Sequence, residues 1–310
     1  MTDTTLPEFT SRGHTLDPAT MSWLTPSNDL LRDPKALRAR FAEEGYLYLK
    51  NILDRRRVEE ARRAITNRLA AEGELHPDHD PMEGIVCPPE LKGSKGSSFR
   101  PDLAGREAAV KRVVFGEELA RFYTNFFDEP VMHFDYIWMR AMKPGQGTAS
   151  HCDWVYMGRG SRRLMTCWIP YGEVPLSIGG LMLLERSHLQ ADRIRRYLEV
   201  DVDAYCENDP DATEKVAKQG GWSHPGWLSH YPESLPKKFN SRWLTSPHFE
   251  MGDVLTFNMT MIHGSLDNHS DRIRLSTDTR WQPASEPADE RWIGANPPGH
   301  GLAGKQGRIC

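Results

Sequence analysis

The stretch "SHCDWVY", residues 150–156, places a histidine and an aspartate two positions apart, with aromatic residues beside them. Residues i and i+2 of a β-strand point to the same side, so His151 and Asp153 can converge on one ion while Cys152 points into the sheet. A His-x-Asp pattern alone is weak evidence, because two polar residues on a strand produce it as well. The stretch therefore leaves two alternatives, a metal site carried by a strand or a structural polar cluster.

A third ligand has to come from elsewhere in the chain, and the stretch "MIHGS" supplies a candidate. His263 follows the strand-like run "GDVLTFNM" and precedes a glycine, which permits close approach of the backbone. Two histidines and one carboxylate on one face bind Fe(II) and leave positions open for a co-substrate and oxygen. His76 and Asp78 show the same spacing in "HPDHD", but a proline separates them and acids crowd them, so we expect a solvated loop there.

Short strand-like runs begin at about residue 131, after a first part with helical patterns. Asp33 and Asp54 are expected to cap two helices, a third helix is expected at 106–126, and residues 74–104 are expected to form a loop. Several short strands that follow helices favour a sandwich or barrel with helical support. The strand-like runs are "VMHFDYIWMRAMKP", "LMTCWIPY", "GGLMLLE", "DVLTFNM" and "RIRLSTDTRW".

The composition is that of a folded chain. The 310 residues are 38% hydrophobic and carry a formal net charge of −4, with basic residues interleaved among acidic ones, so we expect no nucleic-acid partner. No apolar run is long enough for a membrane span, and the first residues lack the pattern of a secretory signal. The five cysteines include no Cys-x-x-Cys pair. We therefore predict a cytoplasmic protein with reduced thiols and no membrane partner, and make no prediction of its oligomeric state.

A candidate site for a co-substrate follows the third ligand. Arg274 lies eleven residues after His263, and Ser276 lies two residues beyond Arg274. A 2-oxoacid with a distal carboxylate needs a fixed cation, and the planar guanidinium of arginine binds a carboxylate through two parallel hydrogen bonds. Alternation on a strand points Ser276 to the same side, where its hydroxyl can add a bond. Arg272 shares that face and is expected at the rim.

Four stretches together resemble the phytanoyl-CoA dioxygenase family of Fe(II)- and 2-oxoglutarate-dependent oxygenases. The resemblance covers roughly residues 33–283 and keeps the order of the motifs. The stretches are "ARFAEEGYLYLKNIL", "MRAMKPGQGTASHCD", "TCWIPYGEVPLSIGGLMLLERSH", and "HGS" followed by an asparagine, a serine and an arginine. Their occurrence in this order is far more specific than the His-x-Asp pattern alone.

The resemblance implies a mainly β fold with flanking helices, a double-stranded β-helix of the jelly-roll, cupin-like type. It implies that His151, Asp153 and His263 ligate iron and that Arg274 binds the distal carboxylate of 2-oxoglutarate. Further co-substrate contacts are expected at Ser276, Trp168, Met139, Ser265 and Arg100. The implied activity is that of a non-haem Fe(II)/2-oxoglutarate-dependent dioxygenase, which uses O₂ to hydroxylate a small-molecule substrate and releases succinate and CO₂.

The sequence divides into an extended N-terminal arm at 1–30, a single oxygenase domain at 31–290 and a C-terminal tail at 291–310. The domain carries an insertion at about 198–247, whose aromatic residues and glycines predict a substrate-selecting lid over the iron. Substrate contacts are expected at Arg159, Trp222, Trp227 and Tyr231. Two other classes remain as alternatives, a non-catalytic jelly-roll module that binds a small molecule and a metal-dependent cupin isomerase.

Overall fold

The computed structural model describes residues 9–91, 97–219 and 224–310, and β-strands form its centre. The strands are β1 (Thr10–Ser11), β2 (His14–Thr15), β3 (Met21–Trp23), β4 (Tyr46–Leu49), β5 (Val131–His133), β6 (Trp138–Met142), β7 (Met165–Pro170), β8 (Val174–Pro175), β9 (Leu181–Leu184), β10 (Ala204–Cys206), β11 (Trp243–Thr245), β12 (His248–Phe249), β13 (Val254–Asn258), β14 (His263–Ser265), β15 (Arg274–Pro283) and β16 (Gln306–Arg308).

Helices lie before the sheets in the chain and in the connections between strands. The α-helices are α1 (Pro34–Glu44), α2 (Arg55–Ala71), α3 (Pro101–Ala104), α4 (Ala108–Val114), α5 (Glu117–Phe127), α6 (Trp154–Met157), α7 (Arg195–Leu198), α8 (Pro210–Gln219) and α9 (Leu235–Phe239). Short 3₁₀ helices lie at Pro18–Thr20, Asn28–Leu30, Pro81–Glu83, Pro89–Leu91, Leu176–Ile178, Ser187–Ile194, Pro232–Ser234, Glu290–Trp292 and Leu302–Gly304.

Two sheets face each other in a double-stranded β-helix, which confirms the predicted jelly roll with flanking helices. The larger sheet has the order β4-β13-β7-β15-β5, with β6 also paired to β15, and all of these pairings are antiparallel. The smaller sheet has the order β14-β9-β11-β3. Strands that are distant in the chain are neighbours in both sheets, so each sheet brings together residues from several parts of the sequence.

The larger sheet separates two apolar cores because side chains alternate along its strands. Trp168 of β7 and Phe257 of β13 point inward and pack with Leu183 of the smaller sheet. Cys167 and Leu275 point outward and pack against the helices that cover this sheet. The even-numbered residues of β7 and β15 therefore face the interior between the sheets, where the predicted site lies.

The first two helices begin where the sequence predicts. The carboxylate of Asp33 accepts hydrogen bonds from the amides of Lys35 and Ala36, and that of Asp54 caps α2 in the same way. The predicted apolar face of α2 is buried, namely Val58, Ala61, Ile65 and Leu69. Complete burial of a valine- or leucine-sized side chain contributes roughly 1.5–3 kcal/mol, so this face holds α2 in the core that the helices share with the larger sheet.

Two expectations about the helical part need correction. The helix predicted at 106–126 is two helices, α4 and α5, because Gly116 between them has an extended backbone (φ −68°, ψ 162°). Residues 74–104, predicted as a loop, include the short helix α3 and two 3₁₀ helices in their described part. Proline occupies the first position of all three helices, where its fixed φ angle favours the helix. The proline content of the segment suggested a loop because the positions of the prolines were not considered.

The described parts of the predicted arm and tail pack on the domain. Strand β3 pairs in parallel with β11, and the side chains of Leu16 and Leu24 are buried. Near the other end, Trp292 is fully buried and β16 pairs in parallel with β10. The insertion predicted at 198–247 contains helices and the sheet strand β11, so its last residues belong to the smaller sheet.

The prediction that all five thiols are reduced is wrong for two of them, since Cys206 and Cys310 form a disulfide. Pairing of β10 with β16 brings these cysteines together across 104 positions of the chain. Cys87, Cys152 and Cys167 are free and buried. Among the described residues, no helix is both long enough and apolar enough to cross a membrane.

Candidate metal centre and its cavity

His151 and His263 lie opposite each other in an antiparallel bridge. The amide of each donates a hydrogen bond to the carbonyl of the other, both with N–O distances of 2.9 Å. Asp153 does not continue the strand, contrary to the prediction, because its backbone is helical (φ −64°, ψ −23°) and it precedes α6. A turn after His151, rather than strand alternation, brings the Asp153 carboxylate to the same point as the two imidazoles.

The remaining hydrogen bonds of the two histidines orient them for metal binding. Nδ1 of His151 lies 2.8 Å from the carbonyl of Ala149, and Nδ1 of His263 lies 3.0 Å from the carbonyl of Met261. A carbonyl only accepts, so each Nδ1 carries the proton and each Nε2 keeps its lone pair. The Nε2 atoms lie 3.5 and 3.6 Å from Oδ1 of Asp153, and one ligand atom from each residue fits within 4.8 Å of the others.

The second oxygen of Asp153 is fixed by two donors that the sequence did not suggest. Thr166 Oγ1 donates to Oδ2 at 2.6 Å, and Arg280 Nη2 donates at 2.8 Å. The Arg280 guanidinium in turn lies 4.7 Å from the ring centroid of Trp138. Only the alternation of side chains along the strands could have indicated these two donors. Thr166 lies on the inward face of β7, as Trp168 does, and Arg280 lies on the inward face of β15, as Arg274 does. The two donors leave Oδ1 directed toward the imidazoles.

Electrostatics keep Asp153 and His263 in the forms that bind a metal. Burial by itself raises the pKa of Asp153, but the charge of Arg280 and the interactions with His263 and His151 together outweigh burial and hold the pKa well below the ordinary value. Burial and the neighbouring His151 lower the pKa of His263 to about 3. The carboxylate is therefore ionised and the His263 imidazole neutral at physiological pH, as metal coordination requires.

Three residues expected to bind the co-substrate lie together in the interior and have unsatisfied polar atoms. Arg274 Nε, Ser276 Oγ and Trp168 Nε1 are buried and have no hydrogen-bond partner among the described residues. An Nη1 atom of Arg274 donates to the carbonyl of Gly179, and burial and the charge of Arg140 lower the Arg274 pKa to about 10. Three buried donors without acceptors fit a carboxylate, since an unpaired buried donor costs about 1–3 kcal/mol.

Four other expected site residues have contacts elsewhere in the structure. Met139 points outward from β6 into the core shared with the helices, because alternation places Arg140 and not Met139 on the inner face. The guanidinium of Arg100 is held by Glu72, Glu74 and Asp102.

Ser265 and Arg159 likewise have structural partners. Ser265 Oγ accepts from the amide of Thr148 at 2.8 Å, and Arg159 Nε donates to Asp201 at 2.6 Å. Neither they nor Met139 and Arg100 line the cavity next to the metal ligands.

A cavity of about 200 Å³ opens beside His151 and Asp153. Trp227 of the predicted lid lines it, whereas Tyr231 is 59% exposed and packs against His14. Trp222 lies outside the described residues. His300, from the predicted tail, also lines the cavity and was missed by sequence reasoning. The other lining residues are Phe99, Trp138, Arg140, Thr148, Tyr156, Met157 and Arg280.

The described part of the insertion is attached directly to the His-x-Asp turn. The amide of Leu228 donates to the carbonyl of Ser150 at 2.8 Å, and Tyr156 donates to the carbonyl of Pro225 at 3.0 Å. Gly226 has φ +76°, and a Cβ there would lie 2.2 Å from the Tyr156 ring. Only glycine allows the backbone to come this close to the Tyr156 ring, and the close approach places the next residue, Trp227, at the cavity.

A jelly roll with a buried site of two histidines and one carboxylate is the arrangement typical of the non-haem Fe(II) oxygenases. The model of the phytanoyl-CoA dioxygenase family matches residues 41–276, and the chain therefore belongs to that family. The chain is 27% identical over 283 residues to the 1-deoxypentalenic acid 11-beta-hydroxylase of Streptomyces exfoliatus, covering 86% of this chain and 87% of that protein. The enzyme of the same name from Streptomyces arenae is 27% identical over 273 residues, with 83% of each chain covered.

Solved structures show the same fold at low identity. EctD from S. alaskensis, solved with 2-oxoglutarate and 5-hydroxyectoine, is 17% identical with a TM-score of 0.56, covering 97% of this chain and 95% of EctD. SnoK, a non-haem α-ketoglutarate-dependent carbocyclase from nogalamycin biosynthesis, is 17% identical with a TM-score of 0.55, covering 86% of this chain and 89% of SnoK. These likenesses agree with the double-stranded β-helix described above.

Proposed function

We propose that this protein is an Fe(II)- and 2-oxoglutarate-dependent dioxygenase that hydroxylates a small molecule and releases succinate and CO₂. The observation that carries the proposal is the convergence of His151, Asp153 and His263, with both Nε2 atoms and Oδ1 directed to one point. The unsatisfied donors of Arg274, Ser276 and Trp168 support binding of 2-oxoglutarate in the same interior. The relatives named as hydroxylases support the reaction type.

Each part of the site has a separate task in this proposal. His151, Asp153 and His263 would hold iron, which supplies the oxygen chemistry that side chains lack. Thr166 and Arg280 hold Oδ2 of Asp153, so the carboxylate cannot rotate away from the ligand position. Arg274 and Ser276 would bind the distal carboxylate of 2-oxoglutarate, and burial strengthens that pairing because water does not compete there.

We also propose that the described part of the insertion at 198–247 acts as a lid over the cavity. Trp227 would close the cavity over the substrate, because Gly226 and Leu228 on either side of it are attached to Tyr197 and Ser150. Exclusion of water protects a reactive site from side reactions. The division into arm, domain and tail and the cytoplasmic location remain predictions from the sequence.

Conversion of 2-oxoglutarate to succinate tests the proposal without knowledge of the substrate. We expect the purified protein to form succinate slowly with Fe(II) and oxygen, and faster when a substrate is found in a metabolite screen. A non-catalytic binding module would form no succinate in either case. A metal-dependent isomerase would convert its substrate without 2-oxoglutarate and without oxygen, and that result would contradict the proposal.

A further inference from the structure

The cavity beside the metal ligands has aromatic walls and one guanidinium at its side. Rings of Phe99, Trp138, Tyr156 and Trp227 line it, and Arg140 projects from β6 among them. Apolar walls with a few fixed polar groups are typical of sites that bind small organic molecules. Its volume of about 200 Å³ suits a compact apolar group.

Arg140 has donors that the protein does not use. Its Nε donates to Oδ2 of Asp278 at 3.0 Å, but neither of its terminal nitrogens has a hydrogen-bond partner among the described residues. Its side chain is 25% exposed, and its guanidinium carbon lies 5.9 Å from the ring centroid of Phe99. The fork of two parallel N–H donors is therefore held in place and open to the cavity, the geometry that binds a carboxylate.

The balance of charges that face the interior also favours an anionic substrate. Among the residues that the structure describes, three guanidinium groups face the interior, those of Arg140, Arg274 and Arg280, together with two carboxylates, those of Asp153 and Asp278. A divalent metal would add two positive charges and 2-oxoglutarate two negative ones. One positive charge then remains without a partner, and an unpaired charge in a buried site is costly. A single anionic group on the substrate would compensate it.

We propose that the substrate is an apolar molecule with one carboxylate, and that Arg140 binds this carboxylate while the aromatic walls enclose the apolar part. A phosphate monoester fits less well because it brings close to two negative charges. The inference rests on the proposed function for the identity of the reaction. The selection of an anionic substrate by Arg140 is a matter of binding, so it can be measured without turnover.

The test uses cyclohexanecarboxylate and its neutral isostere cyclohexanecarboxamide as probes. Binding is followed without oxygen, with Fe(II) and saturating 2-oxoglutarate, by the fluorescence of the cavity tryptophans. We expect the carboxylate to bind at least tenfold more tightly than the carboxamide. Arg140→Gln should abolish this preference, and Arg140→Lys should restore part of it. Arg163→Gln, which removes a cation from surface ion pairs with Glu129 and Glu286, should leave the preference unchanged.

Arg140→Gln leaves Asp278 buried without its partner and could weaken folding, so Arg140→Gln with Asp278→Asn provides a neutral pair. We expect this double variant to show the same loss of preference. Equal binding of both probes by the wild type would overturn the proposal. So would an Arg140→Gln variant that keeps the preference but needs more 2-oxoglutarate, since Arg140 would then bind the co-substrate. Absence of succinate formation would contradict the proposed function and leave these binding results interpretable.

Discussion

Nη2 of Arg280 lies 2.8 Å from Oδ2 of Asp153, and both side chains are buried. This ion pair joins the last long strand of the larger sheet to the turn that carries His151 and Asp153, two of the candidate metal ligands. Thr166 Oγ1 binds the same oxygen at 2.6 Å. Oδ1, the oxygen that would bind the metal, is therefore positioned by two contacts to the other oxygen of the carboxylate.

Removal of the Arg280 guanidinium should weaken metal binding. We expect Arg280→Met to lower the affinity for Fe(II) by roughly 10–100-fold, the usual cost of losing a group that orients a metal ligand. Thr166→Val should cost less, because it removes a neutral donor and keeps the ion pair. Anaerobic Fe(II) titration measures both. Unchanged affinity in Arg280→Met would show that the turn alone orients Asp153.

The co-substrate assignment rests on Arg274. Arg274→Met should raise the 2-oxoglutarate concentration needed for half-maximal succinate formation at least tenfold, because a hydrogen bond to a charged group contributes about 1.5–3 kcal/mol. Arg272→Met is the matched control, since Arg272 lies two residues away and its side chain is 48% exposed. Equal effects of the two substitutions would mean that a different cation binds 2-oxoglutarate.

Trp227 should affect substrate selection rather than co-substrate binding. We expect Trp227→Ala to leave the 2-oxoglutarate requirement nearly unchanged and to raise succinate formation that is not coupled to product, because water gains access to the site. Tyr231→Ala serves as the control, since Tyr231 points away toward His14. The ratio of succinate to product measures the coupling. The same ratio in both variants and the wild type would rule out closure of the cavity by Trp227.

The buried carboxylate of Asp203 should make stability depend on acid pH. Burial by itself raises its pKa, but the hydrogen bond from His300 and the charges of Lys305 and Arg291 lower the pKa to about 2, below the ordinary 3.8. A depressed carboxyl pKa stabilises the fold above the unfolded value, and this contribution is lost as pH falls from about 4 to 2.

Asp203→Asn should therefore lower Tm near neutral pH by about 4 °C. The difference from the wild type should shrink as the pH falls below 4. Thermal unfolding at several pH values provides the measurement. A difference that stays constant down to pH 2.5 would mean that the charge of Asp203 does not contribute.

Local patterns predicted a large part of this structure. The start of α2 follows from its capping residue Asp54 and its buried face from a 3.6-residue period. The three candidate metal ligands follow from a motif and its order in the chain. Arg280 and Thr166 were not predicted because their roles depend on the register of β15 against β7, which places Arg280 opposite Thr166. His300 was missed for a similar reason, since only the folded C-terminal segment carries it to the cavity.

The central claim is that His151, Asp153 and His263 hold the catalytic iron, and Asp153→Ala tests it most directly. The control is Asp78→Ala, because Asp78 belongs to the other His-x-Asp pattern and lies in an exposed turn. Iron content and succinate formation are measured on protein whose circular dichroism matches the wild type. We predict that Asp153→Ala binds iron weakly and forms no succinate, while Asp78→Ala behaves like the wild type. Wild-type succinate formation by folded Asp153→Ala would contradict the account.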